Sequence, residues 1–166
     1  MPAKSVIDID GTEAVSKVIL TLLNTFPGLS QSQSIQFATL DETSGIGFFP
    51  TAGAAYLRDT ESITGHVKQE CLYPFNVVYR AASKSEKQRM RIKEFLDLLG
   101  KWLEQQPITL GTETYTLDSY PELASGNRII TSINRATPAY LNAVYPDNIE
   151  DWAISIRLTY KNEFNR

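Results

Sequence analysis

The last stretch of the chain constrains the fold most. Trp152, Ile154, Ile156, Leu158 and Tyr160 alternate with Ala153, Ser155, Arg157, Thr159 and Lys161. Successive side chains of a strand point to opposite faces, so this period-two pattern describes a strand with one buried and one wet face. Strands of a fully covered parallel sheet read instead as continuous apolar runs, so the sheet is antiparallel. The buried face needs a cover, and the sequence supplies two helices. Val15, Val18, Ile19, Leu22, Leu23 and Phe26 make one stripe at helical spacing, ended by Pro27-Gly28. Asp10 and Glu13 form a capping-box-like start, with Thr12 as a second cap candidate. A second helix spans about Ser85 to Gln105, with Ile92, Phe95, Leu96, Leu99, Trp102 and Leu103 on its apolar face. Ser83 and Glu86 form its capping box and Pro107 stops it.

Between and after the helices come strands. Ile35 to Leu40, Ala54 to Asp59, Gly65 to Ala81, Thr112 to Leu117 and Arg128 to Arg135 all read as strands. In the third run, Val67, Cys71, Tyr73, Phe75, Val77 and Tyr79 share a face, opposite His66, Lys68, Glu70, Asn76 and Arg80. Pro74 within it predicts an edge position or a bulge, because proline has no amide to donate. Asp41 to Gly53, with three glycines and Pro50, reads as a long loop. The order helix, strands, helix, strands is α+β: two main helices packed on one face of a mostly antiparallel sheet. At 166 residues, residues 1–166 form a single domain. No run approaches the roughly 18–20 apolar residues of a membrane-spanning helix, and no signal-peptide pattern opens the chain.

Most enzyme chemistry finds little to work with. One cysteine, Cys71, excludes an internal disulfide framework, and one histidine, His66, makes a His-based centre unfavourable. Strand parity puts Cys71 and His66 on opposite faces. Gly45-Ile46-Gly47 is a lone Gly-x-Gly without the third glycine of a phosphate cradle. No cofactor and no metal are expected. One motif points the other way. Val6-Ile7-Asp8-Ile9-Asp10-Gly11-Thr12 resembles the first motif of the haloacid-dehalogenase phosphatases, in which two aspartates serve as nucleophile and acid/base around magnesium. Asp147 and Asp151 then fit the family's late acidic motif. Against this, no lysine lies between Thr131 or Ser132 and Asp147, and that fold needs a parallel sheet with helical crossovers. Asp10, Gly11 and Thr12 are also ordinary helix-start residues.

Two features suggest surfaces for partners. Ile46, Phe48 and Phe49 lie in the 41–53 loop, and large apolar residues on a loop need a cover, either the domain's own core or a partner. Lys84, Lys87, Arg89, Arg91 and Lys93 are five cations opposed only by Glu86, a net of +4 at the start of the second helix. Lys84, Lys87 and Arg91 share one stripe. Positive charge there opposes the helix dipole, so either a partner surface or a plain solvated face accounts for it. With 16 Lys+Arg against 19 Asp+Glu, the whole chain at −3 is not a nucleic-acid binder by charge.

The order and spacing of the whole chain resemble the small tail-terminator or minor capsid proteins of long-tailed bacteriophages. The likeness runs from the helix Glu13 to Phe26, through Tyr73-Pro74-Phe75-Asn76-Val77-Val78-Tyr79-Arg80 and the Ser85-to-Gln105 helix. It ends with Thr137-Pro138-Ala139-Tyr140-Leu141, read as a turn, and the closing strand Trp152 to Tyr160. The resemblance implies a non-enzymatic virion protein that forms a ring, typically hexameric, at the head-proximal end of the tail. Its implied partners are further copies of itself, the tail-tube protein and a head-completion or connector protein. It implies assembly in the host cytoplasm and no membrane. The family has no short motif that assigns roles to single residues, so Ile46, Phe48, Phe49, Lys84, Lys87 and Arg91 stand as interface candidates on their own chemistry.

Overall fold

A computed structural model describes residues 12–51, 55–82, 85–123 and 127–165. The chain is α+β, as the alternation requires. Helix α1 (Thr12–Leu23) is followed by strands β1 (Ile35–Phe37), β2 (Gly45–Pro50), β3 (Ala55–Glu61) and β4 (His66–Ala82). Helix α2 (Glu86–Leu103) comes next, then β5 (Ile108–Leu110), β6 (Glu113–Tyr115), β7 (Asn127–Arg135), β8 (Tyr140–Tyr145) and β9 (Ile149–Asn165).

β4 and β9, 17 residues each, pair antiparallel over their full length and form the spine of a seven-stranded sheet. Each has two shorter strands end to end along its outer side. β2 and β3 run consecutively along β4, and β7 and β8 run consecutively along β9. β1 lies outside β2 in the one parallel pairing among the described residues. β5 and β6 make a separate small hairpin around Gly111, whose positive φ suits glycine. It replaces the expected single strand at Thr112–Leu117.

Pro74 is therefore not at an edge. Its carbonyl accepts from the Thr51 amide at 3.1 Å, so the side lacking an N–H faces the gap between β2 and β3, where no ladder bond is required. The long loop at 41–53 is also corrected. Gly45–Pro50 is a strand, paired from Gly45↔Arg80 to Pro50↔Phe75. The third correction concerns Thr137-Pro138. It does not reverse the chain but interrupts one long edge, with the Ala136 and Thr137 amides both reaching the Ser155 carbonyl. The reversal comes at the three residues Pro146–Asn148, between the paired Tyr145 and Ile149, where Asp147 and Asn148 both have positive φ.

Both helices cover the same face. Tyr73, Phe75 and Val77 of β4 and Ile154, Ile156, Leu158 and Tyr160 of β9 meet Ile19 and Leu23 of α1 and Leu96, Leu99 and Leu103 of α2 in one core. Phe26, just past α1, bridges the helices by touching Phe95 at 5.4 Å and Trp102 at 5.5 Å between ring centres. Gly100 lets α2 approach the sheet closely, since a Cβ there would lie 2.9 Å from Ile154 Cδ1 and closer still to Arg135. The second face, with Asn76, Arg80, Ser155 and Arg157, carries no helix among the described residues. The expected cap of α2 shifts by two residues: Ser85, not Ser83, accepts from the Gln88 amide at 3.3 Å. Ser83 and the Asp10–Glu13 box involve positions outside the described residues.

Candidate interaction surfaces

The three apolar residues of the expected loop separate by strand parity. Ile46 and Phe48 point into the core, where the Phe48 ring meets Phe75 edge to face at 4.9 Å. A fully buried ring does not reach a partner, so Ile46 and Phe48 are corrected from interface to core. Phe49 points the other way and is half-buried on the uncovered face. A Cβ at Gly47 would lie 2.5 Å from its ring, so this glycine makes room for an aromatic ring.

The basic cluster also divides. Arg89 bonds Glu150 at 3.0 Å, and Lys93 bonds Asp97 one turn along at 2.7 Å. Lys84 lies outside the described residues. Lys87 and Arg91 are exposed one turn apart on α2, and among the described residues they have no ion-pair partner. Every residue from Ser85 to Arg91 is exposed, at the first turns of α2. Met90 stands 67% exposed among them.

The late acidic pair has a structural occupation. Asp151 is buried and takes both Arg80 Nε (2.7 Å) and Nη2 (2.8 Å), a bidentate pair. The Tyr145 hydroxyl donates to the same carboxylate at 3.1 Å, and the Arg80 guanidinium lies 5.1 Å from the Tyr145 ring centre. The bond to Asp151 raises the Arg80 pKa above its ordinary range. Asp147 sits in the hairpin turn. Asp8 and Asp10 lie outside the described residues. Cys71 is buried and His66 is at the opposite surface, bonded to Asn165 and 3.5 Å from Glu163. Among the described residues, no group of three His, Cys, Asp or Glu side chains is arranged to hold a metal ion. No described helix is long and apolar enough to cross a membrane. An open depression of about 370 Å³ is lined by a mixture of polar and apolar groups, among them Gln33, Thr39, Ile46, Tyr79 and Arg80.

The sheet edges are treated unequally. On β1, the Asn24 side chain mimics a neighbouring strand: it accepts from the Ile35 amide at 2.8 Å and donates to the Ile35 carbonyl at 3.0 Å. On β7, the Ile133 amide donates to the Tyr120 hydroxyl at 3.3 Å and the Arg135 amide to Glu104 at 2.9 Å. β3 is bulged and carries Arg58, Asp59 and Glu61. These are the usual protections of an edge: capping groups, charge and irregularity. β8 has no charged residue, no proline and, among the described residues, no group bonded to its outer side between Tyr140 and Tyr145. Its Tyr140, Leu141, Val144 and Tyr145 are all exposed.

Compared with models of known protein families and with curated protein sequences, the chain matches none. The surfaces must therefore be interpreted on their own geometry. β8 is the functional candidate that pattern reading missed. Its signal was an uncharged run from Ala136 to Pro146, hidden because Thr137-Pro138 reads as a turn.

Proposed function

We propose that this chain is a structural assembly subunit resembling a phage tail terminator, which forms a homo-oligomeric ring on the head-proximal end of a tail tube and meets a head-connector protein on its other side. The observation that carries this reading is the exposed N-terminal end of α2. Two exposed turns carry Lys87, Arg91 and a largely exposed Met90, beside Arg89, which is tied to Glu150 of the sheet. Such an exposed end, with an apolar side chain among cations, is suited to contact with a neighbour.

A cyclic ring joins two different surfaces of the same subunit. The exposed start of α2 supplies one. The uncovered sheet face with Phe49 supplies a second, and the two are made of different elements. In this arrangement the protein acts by shape: the ring occupies the tube's growing end and replaces its docking surface with one for the connector. Phage location and hexameric count come from the resemblance alone.

Negative-stain imaging and light scattering test the proposal, on the protein alone and with tail-tube subunits. Closed rings, or tubes that stop lengthening with a distinct cap, are expected. A protein that forms no ring and leaves tube growth unaltered rejects it.

A further inference from the structure

The β8 edge, bulged but uncharged and uncapped among the described residues, is complementary to itself. Its sequence is Tyr140-Leu141-Asn142-Ala143-Val144-Tyr145. Read backwards it is Tyr-Val-Ala-Asn-Leu-Tyr, so an antiparallel second copy sets Tyr140 opposite Tyr145 and Leu141 opposite Val144. Such a match works only if each opposed pair lies on the same face. In a regular strand, positions five or three apart lie on opposite faces. The register shift between Leu141 and Ala143 changes that parity. Tyr140 and Tyr145 pair with Ala153 and Ile149, four apart on β9, so both tyrosines lie on the uncovered face. Leu141 and Val144 pair with Trp152 and Glu150, two apart on β9, so both lie on the helix face.

We propose that β8 is a self-pairing edge: in the free protein, two copies join antiparallel along Tyr140–Tyr145 about a two-fold axis and continue the sheet from one subunit into the next. Aromatic pairs then lie on one face of the seam and aliphatic pairs on the other, both favourable cross-strand combinations. No charged residue stands between Arg135 and Asp147, so no like charges meet across the seam. The bulge that interrupts pairing with β9 is what brings the two halves of β8 into register with themselves. A six-residue seam is a small interface, so the dimer is weak and concentration-dependent. A two-fold contact has no place between neighbours of a cyclic ring. It therefore belongs to the unassembled protein, where it covers an edge otherwise open to aggregation.

Val144 and Ile129 allow a matched test. Val144 is 64% exposed on β8 and Ile129 is 65% exposed on the capped strand β7. Sedimentation velocity of the full chain over a wide concentration range should show monomer and dimer in exchange. Val144→Lys should weaken dimerisation about tenfold or more, because it puts a desolvated cation at both ends of the seam. Ile129→Lys should leave it unchanged, with thermal unfolding showing both variants folded. Register is tested by oxidising a mixture of Leu141→Cys and Val144→Cys proteins: the mixed disulfide should form faster than either self-pair. A monomer at all concentrations overturns the proposal. So does a dimer that Val144→Lys leaves intact, one that Ile129→Lys weakens equally, or one without the preferred mixed disulfide.

Discussion

Tyr73 is among the largest fully buried side chains, and its hydroxyl is hydrogen-bonded to Ser16 of α1. Burial pushes its phenol above the ordinary value of 10.0. The folded state then holds a proton that the unfolded state releases near that value. Stability from this group is fully present below pH 10 and is lost as pH rises through the folded pKa, by up to about 1.4 kcal/mol per pH unit. Tyr120, also raised mainly by burial, acts in the same direction. Urea unfolding at pH 8 and pH 10.5 should show wild type losing more stability over that interval than Tyr73→Phe. At pH 8 the variant should be weaker by about 1 kcal/mol for the lost bond. Equal alkaline losses would reject the assignment. At this scale the sequence was legible wherever periodicity decides: Cys71 and Tyr73 are inside, and His66 is outside. It was not legible for Phe48 and Phe49, neighbours that part company only once Gly45–Pro50 is known to be a strand. Nor does composition reveal that Arg89 and Lys93 are held by Glu150 and Asp97, one of them 61 positions away.

Among the elements, the β8–β9 hairpin depends on its turn. Asp147 and Asn148 have φ of 66° and 59°, a region that costs a β-branched residue about 1–2 kcal/mol and glycine almost nothing. Asn148→Val should lower unfolding stability by about that amount, and Asn148→Gly should match or exceed wild type in chemical denaturation. If valine is tolerated as well as glycine, the turn does not set the register. The two helices and the long strands β4 and β9 were legible because their patterns extend over many residues. β8 was not, since a bulge breaks its alternation and a proline precedes it. Pro74 misled for a related reason. A proline is excluded from a central strand only where a neighbour needs its amide, and here the partner strand changes from β2 to β3 beside it.

For the whole molecule, the basic cluster shrinks from a nominal +4 to two cations without an ion-pair partner among the described residues, so the field at the end of α2 is local. A local field acts over about a Debye length, near 8–10 Å at ordinary salt. Lys87→Glu combined with Arg91→Glu should therefore reduce incorporation into rings or tube caps severalfold at low salt and less at high salt. It should leave thermal stability nearly unchanged, since neither side chain packs. Electron microscopy of assembly mixtures, paired with thermal unfolding, reads both. An unchanged yield removes the helix end from the interface. The fold class was legible from one alternating strand, whereas the free edge emerges only when every strand is in place. The spine has a further consequence, for the order of events in time. β4 and β9 bring His66 against Asn165, 99 positions apart. β9 leaves the ribosome after every other element described, so both helices and eight strands wait without half of the sheet's centre. Such non-local closure is slow. The nascent chain must hold β4 open until β9 arrives.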